Sequence, residues 1–134
     1  MMSLRFALAP LFALSVLSCG SPAPLAPPAG GGPSGATCPA DSTLTYKNFA
    51  ADFFATYCTR CHDSSLSGTA RNGAPPDRNY DTLSGLVETG PTLIDHAAAA
   101  SPTHTNTFMP PSDPRPTQAE REQLGEWLAC GLLP

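Results

Sequence analysis

Charge is scarce in this chain: 13% of the 134 residues are Asp, Glu, Lys or Arg, against about a quarter in ordinary soluble domains. The seven basic residues stand singly, with Lys47 the only lysine, and the formal net charge is −4. Nucleic-acid affinity rests on clustered Lys and Arg, so the scarcity argues against that class of partner. Long hydrophobic runs are missing as well. The longest, Phe6 to Leu17, covers twelve mostly apolar residues, short of the about 20 that span a bilayer as a helix. The length leaves no room for a two-domain enzyme, and no segment alternates convincingly as a strand. Large apolar side chains are few where they are needed most: Leu, Ile, Val and Phe supply 15 of the 97 residues from Cys38 to Pro134. That share lies below the about 20% that usually marks a foldable core. Something bulky and apolar is needed to fill the middle.

Three unlike segments follow one another. Residues 1–18 read as a bacterial lipoprotein signal peptide: Arg5, then the short apolar run, then small residues before Cys19. The ending Val16-Leu17-Ser18-Cys19 is similar to a lipobox, with Val16 where Leu is commoner. Lipid on Cys19 would make it the mature N-terminus, and plain cleavage nearby is the alternative. Residues 19–37 form the lipidated Cys plus a tether. The stretch 20–37 holds five Pro, five Gly and no charge, a composition that cannot bury a core. The implied location is the periplasmic face of a membrane. Gly20, in place of the Asp that retains lipoproteins at the inner membrane of enteric bacteria, favours the outer one. Residues 38–134 are the folded part.

Helical periodicity marks that part as small, all-α and rich in loops. Tyr46, Phe49, Ala50, Phe53, Phe54 and Tyr57 recur at one helical face, with Thr45 placed as N-cap. A second helix covers 118–129, opened by the capping box Thr117-Gln118-Ala119-Glu120 and closed by Gly131. Its apolar stripe is Leu124, Trp127 and Leu128. Between them, Leu83, Leu86 and Val87 suggest a short helix ending at Gly90. Pro91 then opens another through Ala100. Residues 63–79 and 101–116 read as loops.

At the end of the first helix stands Cys58-Thr59-Arg60-Cys61-His62, the C-x-x-C-H signature of covalent c-type haem attachment. Two thiols three residues apart on one turn can add to the two vinyl groups on one side of a porphyrin, and the adjacent His can present a nitrogen to the iron. A thioredoxin-type redox disulfide would need a βαβ pattern, which is missing here. A zinc site would need a second ligand pair, and Cys38, His96, His104 and Cys130 do not form one.

With that motif, residues 46–134 resemble the class I cytochrome c family, monohaem. The family carries a small residue and an aromatic eight and four positions before the first haem Cys, and Ala50 and Phe54 match them. Its C-terminal helix is matched by 118–129, with Trp127 or Leu128 at the crossing with the first. The resemblance implies three to five helices around one haem c, with iron held by His62 and a downstream loop Met. Met109 in Phe108-Met109-Pro110-Pro111, 47 residues after His62, fits that place and has no competing Met in the folded part. His96 and His104 are the rival sixth ligands. A Pro carbonyl in the family accepts the proximal His N–H, and Pro75 and Pro76 stand at the matching distance. Counting then leaves Cys38 and Cys130, which begin and end the domain. Class I cytochromes bring these two ends together, so the pair can form a disulfide, with two free thiols as the alternative. Its loop would stabilise by about 4 to 5 kcal/mol in the chain-entropy model.

The resulting expectation is a membrane-anchored periplasmic electron carrier and not an enzyme, exchanging single electrons with protein redox partners. The contact surface is expected at the haem edge beside Thr59 and Arg60. Iron saturated by His62 and Met109 leaves no site for a small-molecule substrate. The rival readings are a haem subunit of a larger oxidoreductase, a peroxidase or gas sensor with a labile Met109, and a haem-free disulfide-stapled binding module.

Overall fold

A computed structural model describes residues 33–134. The signal peptide, Cys19 and most of the tether lie outside the described residues. The described chain is mostly helical. A π-helical turn, Tyr46–Ala50, leads into α1 (Ala51–Tyr57), followed by α2 (Thr59–His62), a 3-10 turn at Gly68–Arg71, α3 (Leu83–Thr89), α4 (Pro91–Ala98) and α5 (Gln118–Ala129). Two-residue strands β1 (Ala100–Ser101) and β2 (His104–Thr105) pair antiparallel, with Ala100 opposite Thr105.

The helix starts are set by short polar side chains. Thr45 accepts a bond from the Asn48 amide while Asn48 Oδ1 accepts one from the Thr45 amide. Thr117 and Glu120 make the same reciprocal pair at α5. Thr82 caps α3 through the Gly85 amide. Gly90, at φ 91°, closes α3, and Pro91 opens α4 at once. The helix from Pro91 stops at Ala98 rather than Ala100, because Ala100 enters the small hairpin.

The core gathers Ala50, Phe53 and Phe54 from the first helix, Leu86, Ile94, Ala98 and Ala99 from the middle, and Leu124, Trp127 and Leu128 from α5. Phe54 meets Trp127 edge-on at 6.1 Å between ring centroids, the favoured geometry for such a pair. Trp127 Nε1 and the Tyr46 amide both donate to the Leu133 carbonyl, at 3.0 and 2.7 Å. The first and last helices thus meet at Phe54 and Trp127 and through a shared C-terminal carbonyl. The tightest approach of α5 is elsewhere. A Cβ on Gly125 would sit 2.3 Å from the Ala100 carbonyl oxygen and 2.8 Å from Ala36 Cβ.

That last neighbour corrects the domain boundary. Residues 34–37, assigned above to the tether, lie on the folded body. Ser34 is buried, its amide donates to Asp95 Oδ2 at 2.8 Å, and its hydroxyl donates to Asp95 Oδ1. Ser101 Oγ donates to the Ser34 carbonyl at 2.6 Å. Four small residues can dock where bulkier ones would collide with α5, a signal hidden by the Gly/Pro composition around them. A disulfide joins Cys38 to Cys130 with Cα atoms 4.8 Å apart, within the usual span. It fastens this N-terminal strap to the end of α5.

Candidate functional site

A cavity of about 380 Å³ opens beside the thin core, a size typical of sites that enclose small organic ligands. One wall is the C-x-x-C-H segment, with Cys58, Cys61 and His62 all lining it; Met109, Pro110 and Pro111 line another, and Phe54, Tyr80, Ile94 and Ala98 supply apolar surface between. The scarcity of large aliphatics and this space are two views of one fact, since Ala takes up many of the core positions.

His62 lies at the end of α2 and is buried. Its Nδ1 is 3.0 Å from the Arg78 carbonyl oxygen. A carbonyl only accepts, so Nδ1 carries the proton, and the neutral ring keeps its lone pair on Nε2. Burial holds the imidazole below its ordinary pKa, opposed in part by that carbonyl, with the Arg71 charge lowering it further. Neutral imidazole is the metal-binding form. Tyr80 stacks on the ring at 4.4 Å, nearly parallel, and its amide donates to the His62 carbonyl at 2.7 Å.

The acceptor corrects the expectation placed on Pro75 and Pro76. Their carbonyls are engaged elsewhere: Pro75 accepts from Arg71 Nη2 at 2.7 Å, and Pro76 from Asn79 Nδ2 at 3.3 Å. The turn they begin returns the chain to His62 only at Arg78. A backbone carbonyl carries no side-chain signature, so nothing in the residue pattern marked it.

Cys58 and Cys61 are both free thiols. Burial pushes the Cys58 thiol up to about 12, so it stays protonated at neutral pH. Asn72 Nδ2 reaches Cys61 Sγ at 3.4 Å. Met109 is held by its backbone: its amide donates to the Ala97 carbonyl at 2.8 Å, and its carbonyl accepts from Arg121 Nη1 at 2.9 Å. The peptide bond from Met109 to Pro110 is cis. Arg121 also donates to the carbonyls of Ala98 and Asn106, at 2.7 and 2.8 Å, tying the loop to α4. It was legible as an oddity, a charge at 121 in register with Leu124 and Leu128 on the buried face of α5. Arg60 crosses from α2 to the same loop, donating to the carbonyls of Ser112 and Asp113. Neither rival histidine lines the cavity. His96 is buried in α4, and His104 is exposed on the hairpin, bonded to Asn106.

Among the described residues, no three His, Cys, Asp or Glu side chains gather into a metal cage, and no helix is long and apolar enough to cross a membrane. The donors that do converge are two thiols, one neutral imidazole and one thioether, around an apolar space. That set suits a covalently attached porphyrin with a soft axial sulfur better than a bare cation. Comparison with family models, curated proteins and solved structures gives no match.

Proposed function

We propose that this chain is a monohaem c-type electron carrier, tethered to a membrane through Cys19 and serving protein redox partners in the cell envelope. The observation that supports this reading is the shared lining of one apolar cavity by Cys58, Cys61, His62 and Met109. His62 and Met109 would hold the iron, and Cys58 and Cys61 would hold the ring. A haem bound there supplies a one-electron iron(III)/iron(II) couple.

The chain's own residues do the rest. Cys58 and Cys61 would hold the ring through thioether bonds, each thiol giving its sulfur to one carbon of a vinyl C=C and its hydrogen to the other, with no net oxidation. A protonated Cys58 carries the hydrogen that this addition needs. The Arg78 carbonyl holds Nδ1–H and leaves Nε2 as the donor to iron. The Ala97 and Arg121 contacts hold the backbone of Met109, and a thioether ligand favours the reduced state. With His62 and Met109 as its ligands, the iron would take an electron from a reduced partner protein and pass it to an oxidised one.

Optical spectra of the purified protein test the ligand set. The oxidised wild type is expected to show the long-wavelength charge-transfer band of a sulfur–iron(III) bond, and the ferrous form to bind no carbon monoxide. Met109→Ala is expected to lose the band and gain carbon monoxide binding. A wild type that lacks the band and binds the gas readily would overturn the carrier reading in favour of an open haem site.

A further inference from the structure

Arg71 is the most heavily used side chain in the loop that follows His62, yet the proposed function gives it no task. It is 4% exposed in the 3-10 turn Gly68–Arg71. Nε donates to the Ala74 carbonyl at 3.2 Å, and Nη1 to the carbonyls of Asp63 and Leu66 and to Asn79 Oδ1, at 2.8, 3.4 and 3.0 Å. Nη2 donates to the Pro75 carbonyl at 2.7 Å and to the Arg78 carbonyl at 2.9 Å. The Arg78 oxygen is the one that accepts His62 Nδ1–H at 3.0 Å. One carbonyl therefore serves a fixed cation and the imidazole together, using both of its lone pairs. Among the described residues no carboxylate forms an ion pair with the guanidinium, although its charge helps hold the Asp81 carboxyl below the ordinary range.

We propose that Arg71 is a positioning residue for His62, fixing the Arg78 carbonyl at Nδ1 and drawing electron density from it. The inference rests on the haem reading above. A strong acceptor at Nδ1 raises the basicity of the iron-binding nitrogen. A carbonyl already polarised by a guanidinium is a weaker acceptor, so His62 donates less electron density through Nε2. The nearby positive charge acts in the same direction, since it disfavours the more positive oxidised site. Both effects favour the reduced state and raise the reduction potential. A loop brace with no effect on His62 would change stability alone.

The test compares Arg71→Lys, Arg71→Gln and Asn79→Ala in the haem-loaded protein. Asn79→Ala removes one Arg71 contact and loosens the same loop while leaving the Arg78 carbonyl doubly bonded. The reduction potential is expected to fall in Arg71→Lys, which keeps the charge and loses the fork, and further in Arg71→Gln. Asn79→Ala is expected to lower the melting temperature and leave the potential unchanged. The His62 Nδ1–H proton resonance of the ferrous protein is expected to move in the Arg71 variants and to stay in place in Asn79→Ala. If neither Arg71 variant folds, the wild type still decides: the Arg78 carbonyl carbon is expected downfield of those carbonyls in the 72–80 loop that Arg71 does not reach. An ordinary shift there overturns the proposal. So does a potential and resonance unchanged in Arg71→Lys, or an equal shift in Asn79→Ala. A colourless wild type would instead refute the haem reading itself.

Discussion

At the scale of single residues, the site is assembled by backbone carbonyls and the groups that reach them. His62 is oriented by the Arg78 carbonyl, and Met109 by its own carbonyl accepting from Arg121 and its amide donating to the Ala97 carbonyl. The side chains that line the cavity together were legible, because C-x-x-C-H and the single loop Met stand out in the residue pattern. Their orienting partners were not, because main-chain groups look alike at every position. Glu120 shows how one side chain can join two elements. It accepts from the Thr117 amide at the start of α5 and from the Tyr57 hydroxyl at the end of α1, at 2.7 and 2.8 Å. The Thr117 bonds hold its carboxyl below the ordinary 4.5, with Tyr57 adding to the effect, while Tyr57 is raised above 10.0 chiefly by its bond to Glu120. A carboxylate depressed on folding stabilises fully above its unfolded pKa, and that contribution fades as pH falls through the folded value. Thermal melts from pH 7 down to 3 are expected to show this acid-side loss. Glu120→Gln is expected to lower stability at pH 7 and to flatten the slope below about pH 5; an unchanged slope would contradict the assignment.

At the scale of elements, the caps at Thr45, Thr82 and Thr117 and the Gly90-Pro91 break were readable, since each rests on a local rule of backbone chemistry. The strap at 34–37 was not, since its anchors lie more than sixty positions away in sequence. Composition marks it as linker, and only the tertiary fit against Gly125 makes it part of the body. Asp95 gives the strap its strongest hold, one carboxylate oxygen to the Ser34 amide and the other to its hydroxyl. The same α4 carries the Asp95 carbonyl that accepts from Asn106 and the Ala97 carbonyl that takes the Met109 amide. Asp95→Ala is therefore expected to cost about 2 kcal/mol, the scale of hydrogen bonds to a charged group, measured by urea unfolding. It is also expected to free residues 34–37 to rapid amide exchange. Protection of Ser34 that survives the substitution would show that the Ser101 bond, the disulfide and packing hold the strap without Asp95.

At the scale of the whole molecule, a small helical shell with few large side chains is stabilised from outside its core. The Cys38–Cys130 disulfide links residues 92 positions apart and joins the strap to the last helix. Cys38→Ser with Cys130→Ser is expected to cost about 4 kcal/mol by loop entropy, read from urea unfolding, with the optical spectrum retained. The apolar space lined by Cys58, Cys61, His62 and Met109 is the other consequence of that thin core. Its proposed occupant accounts at once for the missing aliphatics, the two free thiols and the neutral imidazole. The most direct measurement is the intact mass of the denatured protein, made in cells that carry c-haem maturation machinery. The wild type is expected to exceed the Cys58→Ser/Cys61→Ser variant, after allowing for the two substitutions, by the mass of one haem. A colourless wild type with no such mass difference, or with Cys58 and Cys61 oxidised to a disulfide, would contradict the account.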